Sequence, residues 1–141
     1  MPIRPENRGR YPKDWAEISR RIRFDRAKGK CEQCAAPHGK VIFRTADGVA
    51  YILEDGRTYH AETGDYLGRT RGSDMPAGRF VKIILTVAHL NHTPENCADD
   101  NLKALCQLHH LRHDRRLHTE NARRTNRGKK AARDLFDEAA A

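Results

Sequence analysis

The chain has 141 residues, 38% hydrophobic and 33% charged, which is enough for one small core and too little for a second. No apolar run approaches the ~20 residues of a membrane span, and the first residues lack the apolar stretch of a secretory signal, so the expected address is the cytoplasm and no membrane partner is expected. With 27 Lys+Arg against 19 Asp+Glu the net charge is +8, which points to an anionic partner, DNA before others.

The expected fold class is α+β, in one domain. Residues 1–13, with Pro2, Pro5, Gly9 and Pro12, read as an extended arm. Asp14 is placed to cap a helix over 14–30, with Glu17 as its reciprocal partner and Trp15, Ile18 and Ile22 as an apolar stripe. Gly29 stops this helix just before Cys31. Residues 31–79 hold a Cys-x-x-Cys turn, then a β-meander and a loop. Val41–Arg44, Val49–Leu53 and Arg57–His60 are the strands, separated by Asp47-Gly48 and Asp55-Gly56, and residues 61–78 look irregular. Phe80–Ala88 is the most apolar run, rich in β-branched side chains, and reads as one buried strand. It opens a segment, 80–118, that continues through a polar loop over Thr93–Asp100 to a helix over Cys106–His118. Gly128 closes the helical pattern, and residues 119–141 form a basic tail.

In a reducing compartment four Cys argue for metal ligands rather than disulfides. Cys31-Glu-Gln-Cys34 and Cys106-Gln-Leu-His109 share a two-residue gap that lets both side chains of a tight turn reach one ion. Two such turns complete a tetrahedron for structural Zn²⁺. Cys97 competes with His109 for the fourth position.

The charge is concentrated at the flanks: +6 over residues 1–30, −2 over 31–111, +7 over 112–133 and −3 over the last eight. Arg112, Arg115, Arg116, Arg123, Arg124, Lys129 and Lys130 are expected to meet phosphates. Aromatics make up only 6% of the chain, too few for a single-strand stacking platform to be expected, so duplex or branched DNA is the better match.

Five of the eight His fall within 25 residues: His89, His92, His109, His110 and His113. If His109 holds zinc, His110 points about 100° round the helix from it, towards the strand that ends at His89. An imidazole beside a divalent ion is the arrangement that activates water. His38, His60 and His118 carry no visible role.

Thr86-Val-Ala-His-Leu-Asn-His92, Asn101-Leu-Lys-Ala-Leu-Cys106 and Gln-Leu-His-His110 together resemble the HNH endonuclease motif, the ββα-metal or His-Me finger in its zinc-knuckle form. The Ala-His-Leu-Asn-His-Thr-Pro-Glu-Asn-Cys stretch is similar to a variety common in bacteriophages. The resemblance takes in Tyr11–Trp15 and the Cys31/Cys34 turn but not residues 35–79. It implies a phage-encoded enzyme in the host cytoplasm that hydrolyses phosphodiester bonds, nicking or cleaving DNA. His89 is then the general base, Asn101 the brace of the loop, and His110 a ligand of a catalytic Mg²⁺ or similar ion. One departure is Ala88, where the family usually has Asp or His as a second metal ligand; Asn91 or His92 would have to supply it. The alternative reading is a zinc-stabilised DNA-binding or packaging accessory protein of weak or no activity, with phage packaging proteins as partners. A protein-binding zinc module is a third.

Overall fold

The computed structural model describes residues 3–140, with side chains described to residue 137. The ends of the expected arm and tail, residues 1–2 and 141, lie outside the described residues. The chain divides into two compact units, Met1–His110 and Leu111–Ala141.

The first unit is α+β. Its N-terminal segment is not extended: Pro5–Arg10 is a 3-10 helix with proline at the start, where a missing N–H costs nothing. Helix α1, Trp15–Arg20, follows, then one stretch of wider π-type turns, Arg21–Arg26. The expected capping box does not form. The Asp14 side chain makes no cap hydrogen bond, and its backbone carbonyl accepts instead from the N–H groups of Glu17 and Ile18, both at 3.0 Å.

Strands β1 (Val41–Thr45), β2 (Ala50–Ile52) and β3 (Arg57–His60) form the expected meander. The stretch expected to be irregular adds β4 (Tyr66–Arg69), and β5 (Gly78–Lys82) returns to the far side of β1. The antiparallel sheet therefore runs β4-β3-β2-β1-β5.

The apolar run 80–88 is not one strand. β5 is an edge strand with Phe80 73% exposed, and the chain breaks at residues 83–85 before β6 (Thr86–His89) begins a separate hairpin with β7 (Leu102–Leu105). Ile83 and Leu85 are both buried with Ile84 42% exposed between them, so strand-like alternation persists where the ladder is broken. Side chains satisfy the backbone there. Gln107 accepts from the Ile84 N–H at 3.1 Å and donates to the Lys82 carbonyl at 2.7 Å; His38 Nδ1 accepts from the Leu85 N–H at 3.0 Å.

His38 can accept only as a neutral ring, and burial, helped by the positive charges of Arg23 and Lys82, lowers its pKa from the ordinary 6.5. A base whose pKa falls on folding stabilises the fold fully above the unfolded value and loses that contribution as pH drops through 6.5 toward the folded one. Wild type is expected to exceed His38→Ala by about 1 kcal/mol in denaturant titrations at pH 7.5, a gap that closes toward pH 5.5.

The hairpin β6–β7 is buried on both faces. Ala88 and Leu105 join Cys31, Cys34, Ile42, Tyr51, Ile83, Leu85 and Cys106 in one cluster. Val87, Leu102 and Ala104 pack on Ile22, with Trp15 and Ile18 beside them, in the other. Arg26 ties these parts together. Its guanidinium donates to both Glu32 carboxylate oxygens, at 3.1 and 2.9 Å, to the Asp99 carbonyl at 2.6 Å and to the Leu102 carbonyl. Arg26→Ala removes all four at once and leaves the two carbonyls to find water. The expected loss is about 2–3 kcal/mol, read from the urea midpoint.

Helix α2 runs over Gln107–Ala140, far past the expected stop at Gly128. A single Gly costs only ~1 kcal/mol against Ala, and the Arg, Lys and Ala around it favour the helix. From Leu111 on, this helix makes up the second unit, and its side chains are almost all exposed. Among the described residues, no helix is long and apolar enough to cross a membrane.

Candidate metal centre and histidine site

Cys31 and Cys34 project from the turn between the π-type segment and β1; Cys106 and His109 come from the junction of β7 with α2. All four are buried, and their ligand atoms lie within 4.8 Å of one another. Cys34 Sγ is 3.9 Å from Cys106 Sγ, and His109 Nδ1 is 3.2 Å from Cys106 Sγ and 3.8 Å from Cys31 Sγ. A tetrahedron with Zn–S of ~2.3 Å and Zn–N of ~2.05 Å requires S···S near ~3.8 Å and S···N near ~3.5 Å. The cluster matches these edges and can hold a metal ion such as zinc.

The electrostatics of the four residues fit the same ion. Hydrogen bonds to Cys106 and Cys34 pull the Cys31 thiol far below its usual range, while the Cys106 and Cys31 sulfurs push Cys34 far above it. Hydrogen bonds to Cys106 and Cys31 outweigh desolvation and push His109 up to about 9. These groups compete for protons that a divalent cation would replace.

Residues outside the ligand set complete the centre. Arg44 on β1 donates from Nη2 to Cys106 Sγ at 3.6 Å, and a guanidinium offsets the excess negative charge of three thiolates around a divalent ion. His109 Nε2 is buried, forms no hydrogen bond, and faces a Glu62 carboxylate oxygen at 3.5 Å. With Nδ1 on a metal, the proton sits on Nε2 and points at that carboxylate. The turn carrying Glu62 is held close by Gly64, at φ +76°, where a Cβ would come within 2.7 Å of the Cys34 carbonyl oxygen. Tyr51 hydroxyl donates to that same carbonyl at 2.6 Å. Neither Arg44 nor Glu62 is legible in the sequence, because the meander that carries them is remote in the chain from Cys106 and His109.

Cys97 is not part of the cluster. Its thiol donates to the Pro94 carbonyl at 3.2 Å and lies 3.5 Å from His89 Nε2. The fourth member of the cluster is therefore His109 and not Cys97.

His89 ends β6 and is 8% exposed. Trp15 stacks on its ring at 4.9 Å, with Tyr11 edge-on at 5.7 Å. Burial holds its pKa below the ordinary 6.5, against the opposing charge of Glu95 and with that of His110 acting the same way as burial. His110, on the first turn of α2, meets the Thr86 hydroxyl through Nδ1. A side-chain bond of this kind fixes the orientation of an imidazole.

Asn101 braces the loop 90–100. Its amide donates to Asn91 Oδ1 at 3.0 Å and to the Asn96 carbonyl at 2.8 Å; its Oδ1 accepts from the Asn91 N–H at 3.2 Å. Asn91 lies past the end of β6, not on its face, and its Oδ1 also accepts from the Thr93 N–H at 3.0 Å. Both lone pairs are taken, so Asn91 serves the loop rather than a cation. His92 is exposed, with φ +59° in the turn after β6. Ala88 is 1% exposed inside the core, so a carboxylate at that position would be buried rather than presented to an ion.

Among the described residues, three of the ten N-terminal cations form ion pairs within the first unit: Arg10 with Glu95 at 2.6 Å, Arg21 with Asp99 at 2.9 Å and Arg26 with Glu32 at 2.9 Å. In the second unit Arg112, Arg115, Arg116, Arg123, Arg124, Lys129 and Lys130 lie along α2 and are exposed, with Arg116 reaching Glu120 at 3.1 Å. Comparison of the chain with protein-family models, with curated proteins and with solved structures found no match.

Proposed function

We propose that the protein is a metal-dependent endonuclease that hydrolyses phosphodiester bonds of duplex or branched DNA, with structural Zn²⁺ at Cys31, Cys34, Cys106 and His109. The observation that carries this reading is the juxtaposition of His89 at the end of a β-hairpin strand, the following loop braced by Asn101, and His110 on the adjoining helix, bonded to Thr86. In this reading His89 takes a proton from the attacking water, and Asn101 keeps the loop shaped around it. His110 holds a divalent ion, which when bound stabilises charge on the phosphoryl group and the leaving oxygen. An imidazole donor suits Mn²⁺, Ni²⁺ or Zn²⁺ better than Mg²⁺, which prefers oxygen. The test is nicking of supercoiled plasmid across that metal series. Conversion to open circles with at least one ion supports the reading, and inertness with all four removes it.

A second reading, a DNA-binding or packaging accessory protein of a phage, rests on a specific observation. His89 is covered by Trp15 and Tyr11, and Cys97 lies at its Nε2. Such a protein would shift DNA mobility without nicking it.

Both readings use the exposed cations of α2. Neutralising Arg123, Arg124, Lys129 and Lys130 to Gln is expected to weaken binding about equally on all sequences. The slope of log K against log salt should flatten by up to ~0.9 for each phosphate no longer neutralised, as measured by fluorescence anisotropy. Unchanged affinity and slope would mark this helix face as solvated surface only.

A further inference from the structure

A second surface of the first unit has a chemistry of its own. A groove of about 1350 Å³ opens along the meander, larger than the ~300–1,000 Å³ of small-molecule pockets and suited to a stretch of polymer. Phe43 and Phe80 stand opposite one another across β1 and β5, with ring centroids 5.1 Å apart at 73°, and both line it. Phe80 is 73% exposed and neighbouring Val41 54%.

Five basic side chains line the groove against Glu54 and Asp55. Asp55 is already paired with Arg57 at 2.6 Å, whereas among the described residues Lys40, Arg69 and Arg71 form no salt bridge. Arg57 and Arg69 are direct cross-strand partners on β3 and β4. Like charges set opposite each other weaken a sheet, and Asp55, which feels the charge of both, offsets only part of the excess positive charge of this rim. Aromatic faces with an unpaired cationic rim are what a single strand needs: bases stack on the rings while phosphates meet the cations.

We propose that this groove binds a short single-stranded segment of nucleic acid, with bases stacked on Phe80 and Phe43 and phosphates held by Lys40, Arg69 and Arg71. The site is separate from the His89 hairpin and does not require cleavage there. An apolar peptide would use the rings but not the excess of unpaired cations, so a protein occupant is the less favoured one.

The test uses the full chain, a labelled oligo-dT of about 12 nucleotides and a duplex of equal length, read by fluorescence anisotropy. Phe80→Ala, at an exposed position that leaves the fold intact by circular dichroism, is expected to weaken oligo-dT binding about five- to a hundredfold while leaving duplex binding unchanged. Arg69→Gln with Arg71→Gln should flatten the single-strand salt slope by ~0.7 for each phosphate released from a guanidinium. Single-strand affinity unmoved by Phe80→Ala overturns the proposal. So does an effect of Phe80→Ala confined to self-association in sedimentation, which would make the groove a protein interface. His89→Ala must retain single-strand binding. A plasmid that stays intact beside Phe80-dependent binding of oligo-dT ends the nuclease reading and leaves this one standing.

Discussion

Stripping the metal from the Cys31, Cys34, Cys106 and His109 centre is expected to unfold the unit Met1–His110 rather than loosen it. The centre joins the turn after the π-type segment to the β7–α2 junction, and its three cysteines belong to the larger core cluster. Structural zinc sites bind with ~10–16 kcal/mol, comparable to the whole stability of a domain at ~5–15 kcal/mol. Without the ion, a small core must also bury three thiols and an imidazole drawn together at 3.2–3.9 Å. Chelation verified by metal analysis should abolish the cooperative thermal transition and the strand signal in circular dichroism; Cys106→Ser should do the same without a chelator. Retention of both signals after verified removal would show that packing alone holds the unit.

His89→Ala is expected to reduce nicking by ~10²–10⁴-fold, the contribution typical of a positioned general base. Zinc content and duplex affinity should stay at wild-type levels, because His89 is not among the four residues of the metal cluster. Its ring is packed under Trp15, so the truncation leaves a gap; His89→Gln, which fills more of that volume, separates the effect of packing from that of chemistry. Activity retained by both variants would remove His89 from the chemistry. His110→Ala is distinguishable from either, since removal of a ligand raises the metal concentration required.

Local signals made much of this readable. The Asp-Gly turns marked the meander, and the paired two-residue gaps marked the Cys/His cluster that could hold a metal, because hairpin turns and knuckles are set by residues a few positions apart. Asn101, singled out from its place in the resemblance, makes three hydrogen bonds to Asn91 and Asn96. The break at residues 83–85 was hidden, since its cause is tertiary: His38 and Gln107 satisfy backbone groups that a ladder would otherwise satisfy. The same holds for Arg44 and Glu62 beside the metal centre, for Asn91, whose oxygen is taken by the loop, and for the groove. Nine aromatic residues in the whole chain give no hint that register will set Phe43 against Phe80. His38 and His60 gave no sign of use, yet His60 Nδ1 accepts from the Glu62 N–H at 3.2 Å and so shapes the turn beside the metal centre.

Cys34 and Cys106 are 72 positions apart, yet their sulfurs nearly touch. Closing so long a chain segment is an entropic obstacle to folding, but the obstacle grows only with the logarithm of length, by ~0.6 kcal/mol per doubling. The meander reduces it further, because β1 to β4 each pair with a neighbour joined by a short connection, and the segment folds back on itself before its ends must meet. The tip at Asp47-Gly48 is exposed. A peptide tag or a small guest domain inserted there would lengthen the excursion with little kinetic or thermodynamic penalty. The hairpin tip is thus the natural place to graft a reporter onto this scaffold.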